Sequence, residues 1–351
     1  MISPDRSRIG VAQLCALIAL MLLVPFGLRA LNARFAGASL PASYLPALEG
    51  LRQRGPFERE PIEQLAALKP AYVVIGDSMA GTRMHTTRLA ELTGRPAAPI
   101  LQAGSGSAYW YLALKNWVIA SGTRPRVVFI FFRDTNLTDV MFRLDEGFRW
   151  NIDRVARDEE LEVNAAIAAR AGALRQRVRT GFDRAYAADA ARLWLLPALP
   201  DHLARAVVPS RRRRTGFIRD MNARFDFLHM RPFEAADLAE AVDREADFDR
   251  YVDRSVLPLM LRDAQAAGIT LCFVRVQRRP IGNRPPEQSR ALRNYIGALR
   301  AYIESRGGIF HDDTGDPNLP FEMYEDGDHV NEAWRPRYTE NLYQRLRARI
   351  Q

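Results

Sequence analysis

The chain has 351 residues, 48% of them hydrophobic and 26% charged, with a formal net charge of +9. That length holds one large domain or two modest ones, and that balance is the one of an ordinary globular chain, for which disorder is not the default. Two cysteines, Cys15 and Cys272, exclude a disulfide framework and a cysteine-based metal cluster, and leave the redox compartment undetermined.

Residues 9–28 carry no charge and would span roughly 30 Å at the helical rise, the thickness of a bilayer core. Arg6 and Arg8 precede the stretch, which suits a cytoplasmic N-terminus, although Arg29 and Arg34 follow it. The favoured reading is an uncleaved single-pass anchor within residues 1–38 that leaves the rest of the chain in the periplasm at the inner membrane. A signal cleaved near Ala36-Gly37-Ala38 and a buried apolar helix are the rivals. Cys15, inside this stretch, reads as an inert core thiol. Residues 39–70, with five prolines among polar residues, read as a linker, and residues 71–351 as the folded domain.

Residues 71–75 form a short apolar run ending at Gly76, as expected of a parallel strand buried on both faces. Similar runs stand at 99–103, 127–132 and 269–276, separated by helical-period stretches at 83–92, 109–120 and 248–267. Residues 291–306 and 332–350 read as closing helices. This alternation predicts an α/β domain with a mostly parallel sheet. Residues 139–244 break the rhythm: rich in alanine and arginine and without a convincing strand, they read as a helical insertion, either a cap over a site or structural padding.

The basic residues are largely arginine, culminate in the run 211–214, and are spread along the whole chain without a nucleic-acid motif. Nucleic acid is therefore not an expected partner. Anionic lipid head groups, an anionic glycan or plain solvated helix faces are the competing readings.

The candidate chemistry begins at Gly76-Asp77-Ser78, where a serine stands at the carboxyl end of a strand and the start of a helix. A serine hydroxyl needs a base, a group that orients the base, and donors for the developing oxyanion. Of five histidines, His329 lies in the polar, turn-prone segment 325–331 before the last helix, with Asp326 three residues earlier. One tight turn at that spacing brings a carboxylate to Nδ1 and leaves Nε2 for the serine. Asp328 is a decoy on this reading, and the cluster could equally serve only to cap the last helix, with Asn331 as its N-cap.

With a Gly-Asp-Ser motif after the first strand and an Asp-x-x-His motif before the last helix, the chain resembles the SGNH or GDSL hydrolase superfamily over about residues 72–349, the insertion excluded. The resemblance implies a flavodoxin-like three-layer sandwich, a catalytic set of Ser78, His329 and Asp326, and an oxyanion hole from backbone and side-chain donors. Gly106, in Ser105-Gly106 after the second strand, is the implied backbone donor, with a plain turn as the other reading. The third-strand motif, Gly-x-Asn in the superfamily, lacks its glycine here; Asn136 is the side-chain donor, or Arg133 replaces it, or Asp134 or Asn136 only caps a turn. Arg275, with Arg278 and Arg279 after it, is a candidate clamp for an anionic substrate group, and Trp110 and Trp334 are candidate site aromatics that core packing would also explain.

Together these imply a serine esterase or O-acyltransferase, acting by resemblance and topology on O-acetyl groups of a cell-envelope polysaccharide, beside a membrane-bound O-acyltransferase. A lipid or small-ester hydrolase and a non-catalytic scaffold of the same fold are the alternatives. Neither a cofactor nor a metal is expected.

Overall fold

Four of the apolar runs and one shorter segment become the strands of a single sheet: β1 (Tyr72–Gly76), β2 (Ala97–Leu101), β3 (Val127–Phe132), β4 (Thr270–Arg275) and β5 (Ile309–Asp312). All neighbours are parallel and the order is β2-β1-β3-β4-β5. The computed structural model describes residues 57–144, 148–157, 160–171, 246–280, 287–325 and 328–351, with residues 15, 16, 18–20 and 23 of the N-terminal stretch. The chain divides into two units, and the one that carries the sheet comprises Leu45–Ala173 and Pro232–Gln351.

Successive strand residues point to opposite faces, so an uninterrupted apolar run feeds two cores. Val73, Ile75, Val128, Ile130, Phe132, Leu271 and Phe273 pack on one face. Against them lie α1 (Glu60–Leu68), α4 (Ser107–Ala113, continued by a π-turn and a 3-10 turn to Ser121), α5 (Arg149–Val155), α6 (Leu161–Ala171), α8 (Leu257–Ala266) and α9 (Arg290–Glu304). Tyr72, Val74, Phe129, Phe131, Cys272 and Val274 pack on the other face against α2 (Ser78–Arg83), α3 (Thr86–Thr93) and α10 (Arg335–Ile350). The short α7 (Phe248–Tyr251) precedes α8. The result is three layers, and each large apolar side chain so enclosed stabilises the domain by about 1.5–3 kcal/mol. Burial also pushes the Cys272 thiol far above its usual range, so it is an inert core residue.

Several expectations change. The linker over residues 39–70 is too long: α1 falls within it, opens with Pro61 in its first turn, and buries Leu65 in the first core. The second strand starts at Ala97 rather than residue 99 and carries Pro99 inside it, tolerable because β2 is an edge strand. The helical stretch 83–92 is broken at Met84-His85, where α2 ends and the His85 side chain caps α3. Of the stretch 9–28, the described residues are helical and exposed, Cys15 among them, so its thiol does not sit in a core. Among the described residues no helix is long and apolar enough to cross a membrane. The remainder of that stretch, residues 36–38, and most of the insertion, including residues 211–214, lie outside the described residues. The described start of the insertion holds α5 and α6 and no strand.

Candidate active site

Because every strand is parallel, the loops after β1, β3 and β4 and the segment leading to α10 meet at the carboxyl edge of the sheet. The strand order reverses direction between β1 and β3, the place where open α/β sheets hold ligands. Ser78 follows β1 directly, which puts it at that crevice.

Local packing fixes the serine. A Cβ on Gly76 would come within 2.4 Å of Ala80 Cβ, so only glycine lets α2 fold back this tightly on its own strand. Asp77 caps α2, its carboxylate accepting the Met79 N–H at 2.9 Å. His329 arrives from the far end of the chain. Its carbonyl accepts the Glu325 N–H at 3.0 Å, Tyr324 and Val330 form an antiparallel bridge, and the Val330 N–H donates to Thr82 Oγ1 of α2 at 3.3 Å. Ser78 Oγ and His329 Nε2 lie 2.9 Å apart. With the ring proton on Nδ1, the imidazole accepts a hydrogen bond from the Ser78 hydroxyl at Nε2, the arrangement a serine nucleophile and its base require. Asp326 lies outside the described residues.

Asp328 does not serve the histidine through these contacts: its Oδ2 accepts from Arg133 Nη1 at 2.6 Å and its Oδ1 from the Arg279 N–H at 2.8 Å. It straps the histidine segment to the loops after β3 and β4. Burial alone would raise its pKa, yet the Arg133 charge, the Arg279 N–H and the Arg133 hydrogen bond together hold it below the ordinary 3.8. A depressed carboxylate adds stability that is complete above the unfolded value and lost as pH falls through the folded one. Asp328→Asn should therefore lower the melting temperature at neutral pH, and its deficit against the parent should close as pH drops below 3.8; a deficit constant with pH would contradict the strap.

The loop after β3 turns at Asp134. Asp134 has φ +46°, a left-handed conformation that favours glycine and that aspartate tolerates better than most residues. Its buried carboxylate accepts from Arg275 Nη2 at 3.1 Å and Arg278 Nε at 2.6 Å. Arg275 also pairs with Asp312 at 3.1 Å and is 3% exposed. The expectation of Arg275 as a substrate clamp is thus corrected: enclosure and two carboxylates commit its guanidinium to holding the loops. Asn136 closes the same turn, its N–H donating to the Arg133 carbonyl at 3.0 Å, and its half-buried side chain stands after β3 at the crevice edge.

Gly106 caps α4 with extended backbone, and a Cβ there would lie 2.3 Å from the Phe142 carbonyl oxygen, an obstacle made of backbone. The Ser107 hydroxyl donates to the Asp139 carbonyl at 3.1 Å, so the start of the insertion closes down on the loop after β2. Trp110 is core, 1% exposed, its indole N–H donating to Ser105 Oγ at 2.9 Å. Trp334 is partly buried against the second core. Gly106→Ala should cost about 1–3 kcal/mol of stability. It should also reduce any Ser78-dependent turnover at least about tenfold, since a 1 Å displacement near reacting groups has effects of that order. A melt and a rate constant on the same sample check both.

Three contributors carried no readable signal: Thr82, visible only as the residue one helical turn after Ser78; Asp328, whose partner Arg133 is 195 residues away; and Arg143, which donates from Nη1 to Asp77 Oδ2 at 3.4 Å. A surface cleft of ≈ 230 Å³ between Gly268–Leu271 and Arg306–Gly308 lies at the amino edge, opposite Ser78, and its lining holds no histidine or carboxylate to activate the Thr270 hydroxyl. Among the described residues no group of three or more histidine, cysteine, aspartate or glutamate side chains is placed to hold a metal ion.

Comparison with protein-family models, with curated proteins and with solved structures finds no match. Fold and site by themselves define an α/β protein with a serine–histidine pair at the carboxyl edge of a parallel sheet.

Proposed function

We propose that the protein is a serine acyl enzyme of the SGNH type, an esterase or O-acyltransferase. The observation that carries this is the 2.9 Å contact between Ser78 Oγ and His329 Nε2, made between residues 251 apart in sequence. In the reaction, Ser78 Oγ attacks the ester carbonyl while its proton passes to His329 Nε2. The resulting tetrahedral oxyanion is held by local donors, for which the Gly106 N–H and the Asn136 amide are the candidates. The C–O bond to the leaving alcohol then breaks, that oxygen takes the proton from His329, and an acyl-serine remains for water or an acceptor hydroxyl to resolve. The left-handed Asp134 in place of the superfamily's glycine supports the same turn being kept with other chemistry.

The substrate reading is acetyl transfer or removal on a cell-envelope polysaccharide, by a domain tethered through residues 1–38 to the inner membrane and facing the periplasm, with a membrane-bound O-acyltransferase as partner. Its support is the resemblance and the apolar stretch 9–28. The test is turnover of p-nitrophenyl acetate and longer-chain esters by the full-length protein, together with labelling by a fluorophosphonate. Labelling confined to Ser78 and a preference for acetate support the reading. A preference for long chains moves the substrate to lipid esters. Folded protein with neither turnover nor labelling removes the enzyme and leaves the scaffold.

A further inference from the structure

Two guanidinium groups hold the residues that precede Ser78 and His329, each through a single ion pair among the described residues. Arg143 holds Asp77, the residue before the nucleophile, through Nη1 alone at 3.4 Å. Arg133 holds Asp328, the residue before the base, through Nη1 alone at 2.6 Å. Among the described residues neither has a further protein acceptor, so each engages one of its five N–H donors there. Both side chains are 27% exposed, so a dissolved anion can reach them.

Arg143 is also held in a demanding way. Its backbone takes φ +58°, a conformation that costs a long side chain energy and that concentrates at functional positions. Its guanidinium lies 4.8 Å from the Phe142 ring centroid and 5.3 Å from that of Phe148. Those two rings in turn abut Gly106 and Gly104. The charge is thereby fixed over the loop after β2 instead of swinging into solvent. Burial lowers its pKa, Asp77 partly restores it, and the Arg133 charge lowers it again, so the two guanidinium groups lie close enough to repel each other. An anion placed against both would relieve that repulsion and meet two planar forks suited to an oxyanion.

We propose that Arg143 and Arg133 form a subsite for an oxyanion, a carboxylate or a phosphate monoester, carried by the ester substrate next to the bond that Ser78 attacks. The subsite rests on Ser78 being the acyl nucleophile, and the experiment separates the two. Full-length protein is assayed with three acetate esters of one shape: methyl 4-acetoxybenzoate, which is neutral, 4-acetoxybenzoate, and 4-acetoxyphenyl phosphate. At least one anionic ester is expected to exceed the neutral one in kcat/KM by about tenfold or more, the scale of a charge-assisted contact pair. The better of the two names the anion as carboxylate or phosphate. Added salt should shrink the advantage. Arg143→Gln should bring the anionic-to-neutral ratio near one, and Arg143→Lys, which keeps the charge without the fork, should retain part of it.

Neutral-ester turnover that depends on Ser78, with no anionic preference in the parent protein, would overturn the subsite and leave the acyl enzyme standing. An unchanged ratio in Arg143→Gln would overturn it too. So would an equal loss on all three esters, which would assign Arg143 to the transition-state oxyanion. Absence of any Ser78-dependent turnover would remove the acyl-enzyme reading and the subsite together.

Discussion

Ser78→Ala is expected to reduce kcat/KM for p-nitrophenyl acetate by roughly four orders of magnitude, and His329→Ala by a comparable factor, with the double variant little worse than either. On the proposed mechanism the two groups work as one unit: without the base the hydroxyl stays protonated and unreactive, and without the hydroxyl there is nothing to deprotonate. Non-additivity is the discriminating feature, because two independent contributors would multiply their losses. The change should not reach the fold. Ser78 is half-buried and its hydroxyl makes one side-chain contact, to His329, so its removal costs about 1 kcal/mol of stability. A near-parental melt with lost turnover would separate chemistry from folding, whereas undiminished turnover in both variants would place the reaction elsewhere.

Arg275→Leu should produce the opposite pattern, a large loss of stability from a residue outside the reacting groups. Arg275 ties Asp134 after β3 to Asp312 at the end of β5, each at 3.1 Å, and is 3% exposed. Breaking one partner out of a buried cluster leaves uncompensated charge and costs about 3–5 kcal/mol. For a domain of this size that lowers the melting temperature by roughly 10 °C. Arg275→Lys should not restore it, since one ammonium cannot span two carboxylates as the planar fork does. Turnover should fall as well, because the Asp134 turn carries Arg133 and Asn136 to the crevice. A shift of less than about 1 kcal/mol would show that Arg278 alone satisfies Asp134.

What the amino-acid sequence determined by itself was local. The runs at 71–75, 127–132 and 269–276 could be read as strands because a parallel strand buried on both faces must be apolar at every position. β5 escaped that reading since Ile309–Asp312 has two apolar residues followed by His311 and Asp312, and as an edge strand it needs no more. Ser78 and His329 could be nominated as a pair because a nucleophile and a base restrict residue type and local context, and folding brings the two side chains to 2.9 Å. Which carboxylate would meet which cation was not. Asp328 and Asp326 differ by two positions in one polar segment, and only the arrival of Arg133 and the Arg279 N–H assigns Asp328 to holding the loop. Arg275 and Arg143 look alike on paper, yet one is sealed between two carboxylates and the other meets Asp77 through a single 3.4 Å contact and stays partly exposed. Charge pairing falls off steeply with distance and depends on burial, and both are properties of the folded chain that no local pattern of residues encodes.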